Sequence, residues 1–302
     1  MNAIEVRDLR KRYGAVEAVA GISFEACEGE VFCLLGPNGA GKTTTVEILE
    51  GQRLPDSGTV SLLGYEPGRG ERAMRERIGV VLQSCGIQED LTVGELLEMY
   101  GGYYPHPRAA DELIELVELD AKRGARAHEL SGGQRRRLDL ALGLVGDPDV
   151  LFLDEPTTGF DPHARRQAWS TIRNLCSLGK TVFLTTHFMD EAQFLADHVA
   201  VMADGEIVAS GPPEAIGGRD QLPTEIRFEL PDRTGLAELP TLPGAALSEG
   251  RDGVLITTSD GLAATHTLTG WALERGLPLR NFSVTQPTLE DVYLALTAGA
   301  ER

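Results

Sequence analysis

Four short apolar runs, each followed by polar residues, constrain the fold of this chain most strongly. They cover residues 31–35, 80–82, 150–153 and 182–184. Unbroken apolarity of this length is typical of strands covered on both faces, as in the parallel sheets of α/β proteins. Ligands bind outside the carboxyl ends of such strands. Parallel neighbours would therefore gather in one crevice Lys42, Gln83, Asp154, Glu155 and His187. The alternative, four unrelated strands with incidental polar ends, is less favoured because such α/β architectures are common.

The first run leads into a glycine-rich segment that matches the pattern GxxxxGK[ST], and a helical pattern over residues 44–50 follows. Glycines permit a tight loop whose amides converge on phosphate oxygens, and the helix N-terminus adds a favourable dipole. The alternative is a glycine-rich turn with a solvated lysine, which the flanking strand and helix disfavour. Within this loop, Lys42 would contribute a positive charge and Thr43 an oxygen ligand for Mg²⁺. The motif consists of Gly36, Pro37, Asn38, Gly39, Ala40, Gly41, Lys42 and Thr43.

The third run ends in two adjacent carboxylates, Asp154 and Glu155. Asp154 can hold Mg²⁺, usually through water, because Mg²⁺ keeps part of its hydration shell. Glu155 can orient or deprotonate an attacking water. Taken alone, the pair fits an acidic strand end on the surface; its place beside the phosphate loop favours the catalytic interpretation.

A second anion site is indicated by Leu130-Ser131-Gly132-Gly133-Gln134. Ser131 and Gln134 have the spacing of a capping box, which alone is a common way to begin a helix. Gly132 and Gly133 are poor helix formers, however, and they leave the first amides bare for an anion. A second phosphate site in one chain requires an explanation.

The order of these motifs resembles that of the ATPase subunits of ABC transporters. It runs from the phosphate loop through Gln83, residues 130–134 and 150–155 to Asp161 and His187, and the resemblance covers roughly residues 2–218. It implies an α/β domain over residues 1–218 with a parallel core sheet, an antiparallel β layer and a helical subdomain at about residues 84–145. It also implies ATP and Mg²⁺ as cofactors. ATP would lie between two copies of the chain, with the phosphate loop of one facing Ser131, Gly132, Gly133 and Gln134 of the other.

The same resemblance assigns roles to single residues. Tyr13 would stack on adenine, and residues 36–44, which include Thr44, would surround the phosphates. Gln83 would touch Mg²⁺ and the attacking water and link the site to a membrane partner. Asp161 would lie across the dimer seam, and His187 would contact the γ-phosphate.

Three of these residues have simpler interpretations or depart from the family pattern. Tyr13 is also consistent with an exposed loop aromatic, and His187 with a plain histidine at the end of a strand. Phe160 stands where the family frequently has leucine, and it keeps the apolar character of that position.

Two further regions show strand and helix patterns. Alternation at residues 4–9, 22–26 and 60–62 predicts the antiparallel layer. Residues 219–302 predict a small α+β domain, with strands at 226–230, 254–256 and 282–284 and helices at 262–274 and 289–296. Thr288 is a suitable N-cap for the last helix.

The last helix carries a second, narrower resemblance. Residues 286–294, together with residues 91–95, are similar to segments of drug-resistance ABC exporter ATPases of the daunorubicin-resistance type. An amphipathic helix that closes a small domain explains the same pattern, and both interpretations can hold together.

Composition limits the classes of partner. Lys plus Arg is 28 and Asp plus Glu is 46, giving a formal charge of −18, which argues against general nucleic-acid binding. A membrane-spanning helix needs about 20 apolar residues, and no run approaches that length. The first residues lack a signal-peptide core, and Cys27, Cys33, Cys85 and Cys176 form no CxxC pair. We therefore expect reduced thiols in the cytosol and a separate membrane partner.

These observations predict an ATP-hydrolysing subunit of an ABC exporter, at the cytoplasmic face of the membrane, that pairs with a second copy and with a transmembrane permease. The cargo would be drugs, antibiotics or other hydrophobic compounds. A soluble ATPase acting on ribosomes or DNA is disfavoured because the chain has one phosphate loop and no sustained heptads. A nucleotide-binding regulator that does not hydrolyse ATP is disfavoured because Glu155 and His187 are both present. An import ATPase is disfavoured only by the resemblance of residues 286–294 to exporter ATPases.

Overall fold

The structure is a computed structural model that describes residues 1–81, 86–231, 236–250, 253–286 and 288–298. Within it the chain forms two compact units, Met1–Pro213 and Glu214–Arg302. No helix in these described ranges is both long enough and apolar enough to cross a membrane.

The first unit contains two sheets and a set of helices. Its strands are β1 (Asn2–Tyr13), β2 (Val16–Cys27), β3 (Val31–Leu35), β4 (Ser57–Leu62), β5 (Ile78–Val81), β6 (Val150–Asp154), β7 (Thr181–Thr186), β8 (His198–Ala203) and β9 (Glu206–Gly211). Its helices are α1 (Lys42–Leu49), α2 (Arg72–Arg75), α3 (Val93–Gly101), α4 (Ala110–Leu116), α5 (Gly132–Leu144), α6 (Pro162–Ser177) and α7 (Met189–Leu195). Short 3₁₀ turns lie at Pro67–Arg69, Asp120–Lys122 and Ala127–Glu129.

The central sheet has the strand order β5-β6-β7-β3-β8-β9. Strands β5, β6, β7 and β3 are parallel neighbours, and β8 continues the parallel pairing. The prediction from the four apolar runs is confirmed, and the alternative of unrelated strands is wrong. Leu82, the last residue of the second run, lies outside the described residues. Strand β9 pairs antiparallel with β8 around Asp204 and Gly205, a residue pair typical of tight hairpin turns.

The antiparallel layer, with order β2-β1-β4, packs on this sheet. Phe24 of β2 stacks on Phe32 of β3 with ring centroids 5.0 Å apart, and Phe32 lies 5.4 Å from Phe183 of β7. Phe152 of β6 completes the row at 5.7 Å from Phe183. Each of these buried rings contributes about 1.5–3 kcal/mol. The aromatic row therefore fixes the strands that end at the candidate site.

Helices α3, α4 and α5 lie between β5 and β6 in the chain. Thr92 and Glu95 form a capping box at the start of α3. The three helices bury one another's apolar faces through Leu96, Leu97, Leu113, Val117, Leu138 and Ala141. This small helical cluster carries the N-terminus of α5, where Ser131 is the cap.

The second unit is an antiparallel sheet with order β11-β12-β10-β13 and two helices. Its elements are β10 (Thr224–Glu229), β11 (Ala245–Gly250), β12 (Gly253–Thr258), α8 (Gly261–Glu274), β13 (Arg280–Thr285) and α9 (Leu289–Ala298), with 3₁₀ turns at Ile216–Gln221 and Leu236–Glu238. The predicted strands and both helices are present, and Thr288 caps α9 through Asp291. The sequence did not predict β11.

Candidate functional site

The phosphate loop connects β3 to α1, and its backbone is held from both sides. The Gly36 amide donates to the Thr186 carbonyl at 3.2 Å, and the Gly205 amide donates to the Ala40 carbonyl at 3.1 Å. Gly41 has φ 106, and a Cβ there would lie 2.1 Å from the carbonyl oxygen of Ala18. Glycine is therefore required at position 41 for both conformation and space.

Lys42 begins α1 and points back over the loop. Its side chain is 5% exposed, and Nζ donates to the carbonyls of Gly36 at 2.8 Å and Pro37 at 3.0 Å. Nζ also lies 3.9 Å from Oε1 of Glu155. Burial lowers the pKa of the Lys42 ammonium, and the carboxylates of Glu155 and Asp154 oppose that change. A phosphate oxygen can replace the carbonyl acceptors and offer the ammonium a full negative charge.

Asp154 and Glu155 stand at the carboxyl end of β6. Asp154 accepts a short hydrogen bond from the Thr185 hydroxyl on the neighbouring strand. Glu155 has φ 46, and its amide donates to the Thr185 carbonyl at 3.1 Å. A non-glycine residue in this region is uncommon, and such strain is often found at functional sites.

The Glu155 carboxylate has two further neighbours. Its Oε1 lies 3.1 Å from Nδ1 of His187, and its Oε2 accepts from the Thr158 hydroxyl at 3.1 Å. Lys42, Asp154, Glu155 and His187 therefore lie at one edge of the sheet, as the strand ends predict. The fifth predicted residue, Gln83, lies outside the described residues, as does Cys85.

A cleft of about 430 Å³ opens above these residues. Tyr13, at the end of β1, is 40% exposed and faces this cleft, with the Arg53 guanidinium 5.2 Å from its ring centroid. The lining consists of Tyr13, Ala18, Asn38, Gly39, Gly41, Lys42, Thr43, Thr44, Asp154 and Glu155. An aromatic face, a phosphate loop and two carboxylates therefore share one opening.

Ser131 and its neighbours line a different cleft of about 420 Å³. The capping box is present: the Ser131 hydroxyl accepts from the Gln134 amide at 3.3 Å, and Gln134 Oε1 accepts from the Ser131 amide at 3.0 Å. A Cβ on Gly132 would meet nothing within 4 Å, and one on Gly133 would meet only Ala164 at 3.8 Å. Packing within the chain therefore does not require these glycines, and they leave room for a group from outside.

Asp161 and Phe160 line this second cleft as well. Asp161 caps α6, and its Oδ1 accepts from the amides of His163 at 2.8 Å and Ala164 at 2.9 Å. The Ala164 and His163 amides lower the pKa of the Asp161 carboxyl. One unit therefore presents two polar clefts, one with the phosphate loop and one with the bare end of α5.

The sequence interpretation gave no role to two residues that hold the segment after β6. Arg136 of α5 is 12% exposed and donates to the carbonyls of Asp154 at 3.1 Å and Pro156 at 3.0 Å. Glu191 of α7 is fully buried and accepts from the Thr157 hydroxyl at 2.7 Å and the Trp169 indole at 2.9 Å. Arg136 lies in the helix that the capping box at Ser131 predicts, and no motif of the sequence analysis includes Glu191.

Comparison with known proteins identifies both units. A family model described as ABC transporter matches residues 19–158. A second, described as ABC transporter domain-containing protein-like, C-terminal domain, matches residues 224–288.

Two relatives match almost the whole chain. The Nod factor export ATP-binding protein I of Ralstonia nicotianae is 41% identical over 99% of this chain and 95% of its own length. The daunorubicin resistance ATP-binding protein DrrA3 of Streptomyces coeruleorubidus is 36% identical over 99% of this chain and 97% of its own.

Solved structures with the same fold cover the first unit. The ADP conformation of MJ1267, an ATP-binding cassette of an ABC transporter, has a TM-score of 0.64 at 25% identity, over 71% of this chain and 92% of its own. CbiO1 from Clostridium perfringens, described as part of an ABC transporter complex, has a TM-score of 0.64 at 28% identity, over 70% of this chain and 89% of its own.

Proposed function

The chain belongs to the ATP-binding subunits of ABC transporters, a family that hydrolyses ATP, and from this premise we propose that it powers an exporter whose membrane part is a separate protein. The observation that carries the catalytic proposal is the meeting of Lys42, Asp154, Glu155 and His187 at the end of the parallel sheet. Both relatives matched over the full length are named for export or for drug resistance, which supports the direction of transport.

Within the first cleft, each residue has a task that its position supports. Lys42 exchanges its two carbonyl acceptors for phosphate oxygens, while the loop amides and the N-terminus of α1 hold the remaining phosphate charge. Glu155 takes the proton of the attacking water, and such a base contributes about 10²–10⁴-fold to the rate. His187, 3.1 Å from Glu155, orients that carboxylate and reaches the γ-phosphate.

The same cleft has the donor set that Mg²⁺ prefers. The Thr43 hydroxyl and the Asp154 carboxylate both line it and are hard oxygen ligands. Gln83 is the third proposed ligand, on the basis of the sequence alone. When bound, Mg²⁺ neutralises charge on the phosphates.

The second cleft supports a homodimer. Gly132 and Gly133 offer the first amides of α5 and open space beside Ser131, yet these residues line a cleft other than that of Lys42. Two copies related by a two-fold axis place the phosphate loop of each opposite the α5 end of the other. Asp161 then lies at the seam, and each nucleotide is held by both chains.

The relatives support a membrane partner and a class of cargo. CbiO1 is described as part of an ABC transporter complex, which supports a separate permease chain. We place the ATPase at the cytoplasmic face of that permease. The cargo class that the resemblance favours is drugs, antibiotics or other hydrophobic compounds.

The ATPase activity is tested with purified chain and a substitution of the phosphate-loop lysine. We expect Lys42→Ala to lower Mg²⁺-dependent ATP turnover by at least about 10²-fold, because one lost charge-stabilising donor costs about 10²–10³-fold. Lys122→Ala, on a 3₁₀ turn away from both clefts, is the matched control and keeps turnover. Hydrolysis by Lys42→Ala at the wild-type rate would contradict the assigned site.

The transport direction is tested separately. Membrane vesicles that contain the chain and the permease with which it co-purifies should move daunorubicin, a fluorescent probe, in an ATP-dependent manner. Movement away from the ATP-exposed face supports export. Movement toward that face favours the import alternative, and stable association with ribosomes or DNA instead of a membrane protein favours the soluble one.

A further inference from the structure

Three consecutive arginines on the first turns of α5 reach three different parts of the first unit. Arg135 pairs with Glu89 at 3.0 Å, on the surface. Arg137 donates to the carbonyls of Val117 and Glu118 at 3.4 and 3.2 Å, at the end of α4, and it lines the second cleft. Arg136 alone of the three reaches the turn that carries the carboxylates, among the contacts of the described residues.

The Arg136 contacts bind one specific stretch of backbone. Nε donates to the Pro156 carbonyl at 3.0 Å, and Nη2 donates to the Asp154 carbonyl at 3.1 Å, with the Glu155 carbonyl at 3.5 Å. Three successive carbonyls therefore face one planar guanidinium. A fork of fixed donors restrains the orientation of a peptide segment more strongly than a single donor can.

Burial makes these contacts obligatory. The Arg136 side chain is 12% exposed, and its acidic neighbour Asp139 lies 3.8 Å away on the same helix. A buried guanidinium needs hydrogen-bond acceptors for its donors, because a desolvated charge without them is costly. The turn after β6 supplies these acceptors. A shift of α5 relative to β6 would therefore break the hydrogen bonds from Arg136 to the Asp154 and Pro156 carbonyls.

The restrained turn is also strained. Glu155 has φ 46, a region that a non-glycine residue keeps only where its surroundings hold it there. Its carboxylate must stay within reach of a water molecule at the γ-phosphate, and a displacement of about 1 Å can lower a rate by about 10²-fold. Arg136 thus holds the backbone on either side of the proposed base.

We propose that Arg136 is a positioning residue, which holds the Glu155 turn in its hydrolytic geometry and ties it to the helix whose N-terminus receives the partner's nucleotide. The inference rests on the proposed nucleotide sandwich. Closure of one site on Ser131, Gly132 and Gly133 would pull on α5, and through Arg136 that movement would reach Glu155 of the other site.

The test compares Arg136→Gln and Arg136→Lys with the adjacent Arg135→Gln as a matched control. We expect Arg136→Gln to lower kcat by about 10–10²-fold while KM for ATP changes less than about threefold, since the residue touches the base turn and not the nucleotide. Arg136→Lys should recover part of kcat through one remaining donor. Arg135→Gln should stay within about threefold of wild type in both parameters, because Arg135 pairs with Glu89 on the surface and is not among the residues that line the two clefts.

A double-mutant cycle separates positioning from general support of the fold. If Arg136 acts through Glu155, adding Arg136→Gln to Glu155→Gln should lower the residual turnover no further, because contacting residues are non-additive. An additive loss would overturn the proposal. Equal losses in Arg136→Gln and Arg135→Gln with matching falls in Tm would also overturn it, as would a wild-type kcat in Arg136→Gln.

Failure of the Arg136 positioning proposal can be distinguished from failure of the proposed ATPase function. Turnover by the wild-type chain and its loss in Lys42→Ala test the ATPase itself. If those hold and Arg136→Gln is unchanged, only the positioning proposal fails. If Arg136→Gln does not fold, Arg136→Lys carries the test, and a wild-type kcat in that variant would overturn the proposal.

Discussion

Glu50, at the end of α1, is a buried carboxyl that should make stability depend on pH. It is 6% exposed, Gln52 donates to Oε2, and Oε1 has no partner among the described residues. Burial raises the pKa of Glu50 from 4.5 to about 8, the charges of Asp154 and Glu47 add to the rise, and the Gln52 hydrogen bond opposes it. The folded state therefore holds a proton on Glu50 that the unfolded chain releases above about pH 4.5.

The sign and size of the effect follow from this difference. Because the folded pKa lies above the unfolded one, folding stability falls as pH rises from about 4.5 to about 8, by about 1.4 kcal/mol per pH unit. At pH 7 the cost is on the order of 3 kcal/mol. Glu50→Gln keeps the shape and the contact to Gln52 and removes the titration. We expect it to raise Tm at pH 7 by about 6–12 °C and to change little at pH 4.5.

The assay is thermal unfolding of the full chain followed by circular dichroism from pH 4.5 to 8.5. Glu76→Gln is the matched control, because Glu76 is not among the groups that shift the Glu50 pKa. Glu76 forms a partly exposed ion pair with Arg72, worth about 0–1 kcal/mol, so its effect should not grow from pH 6 to pH 8.5. Asp139, whose pKa burial also raises, is present in every variant and cancels. A Tm difference between Glu50→Gln and wild type that stays constant across this pH range would refute the reasoning.

Two further predictions concern the dimer and the second unit. Glu155→Gln should bind ATP and accumulate as a dimer on a sizing column, because it retains the phosphate loop and loses only the base; a monomer at saturating ATP would contradict the sandwich. A chain ending after Pro213 should bind ATP within a factor of about three, or about 0.7 kcal/mol, since all residues that line the two clefts lie in the first unit. Loss of affinity in a folded truncation, measured by calorimetry, would show that the second unit contributes to the site.

The site could be predicted because its signals are local in the sequence. Each apolar run directly precedes a chemistry-bearing residue, and parallel pairing then brings the strand ends together without further information. The capping box at Ser131 is similarly a spacing of three residues, and it forms with both of its hydrogen bonds. What these signals predict is therefore the edge of the sheet and the start of α5.

Irregular strands limited the same approach. In β1 the buried residues Ile4, Val6 and Leu9 depart from strict alternation because the register shifts between Val6 and Leu9, where Asp8 has φ 45. Such a bulge changes the face that the following side chains occupy. In the second unit, β11 is an edge strand whose Leu247 is 43% exposed, and Ala245 and Ala246 at its start give little alternation. Its pairing with β12 decides its structure.

The residues that hold the segment after β6 could not be predicted from the sequence, for a different reason. Arg136 approaches it from α5, and Glu191 approaches Thr157 from α7, so the two contacts come from residues more than fifty positions apart in the chain. Neither contact needs a fixed spacing from Glu155, and therefore neither produces a motif. Yet a residue at φ 46 keeps its conformation only where its surroundings determine it. A chain with every motif in place but without these two contacts would therefore bind ATP and hydrolyse it slowly.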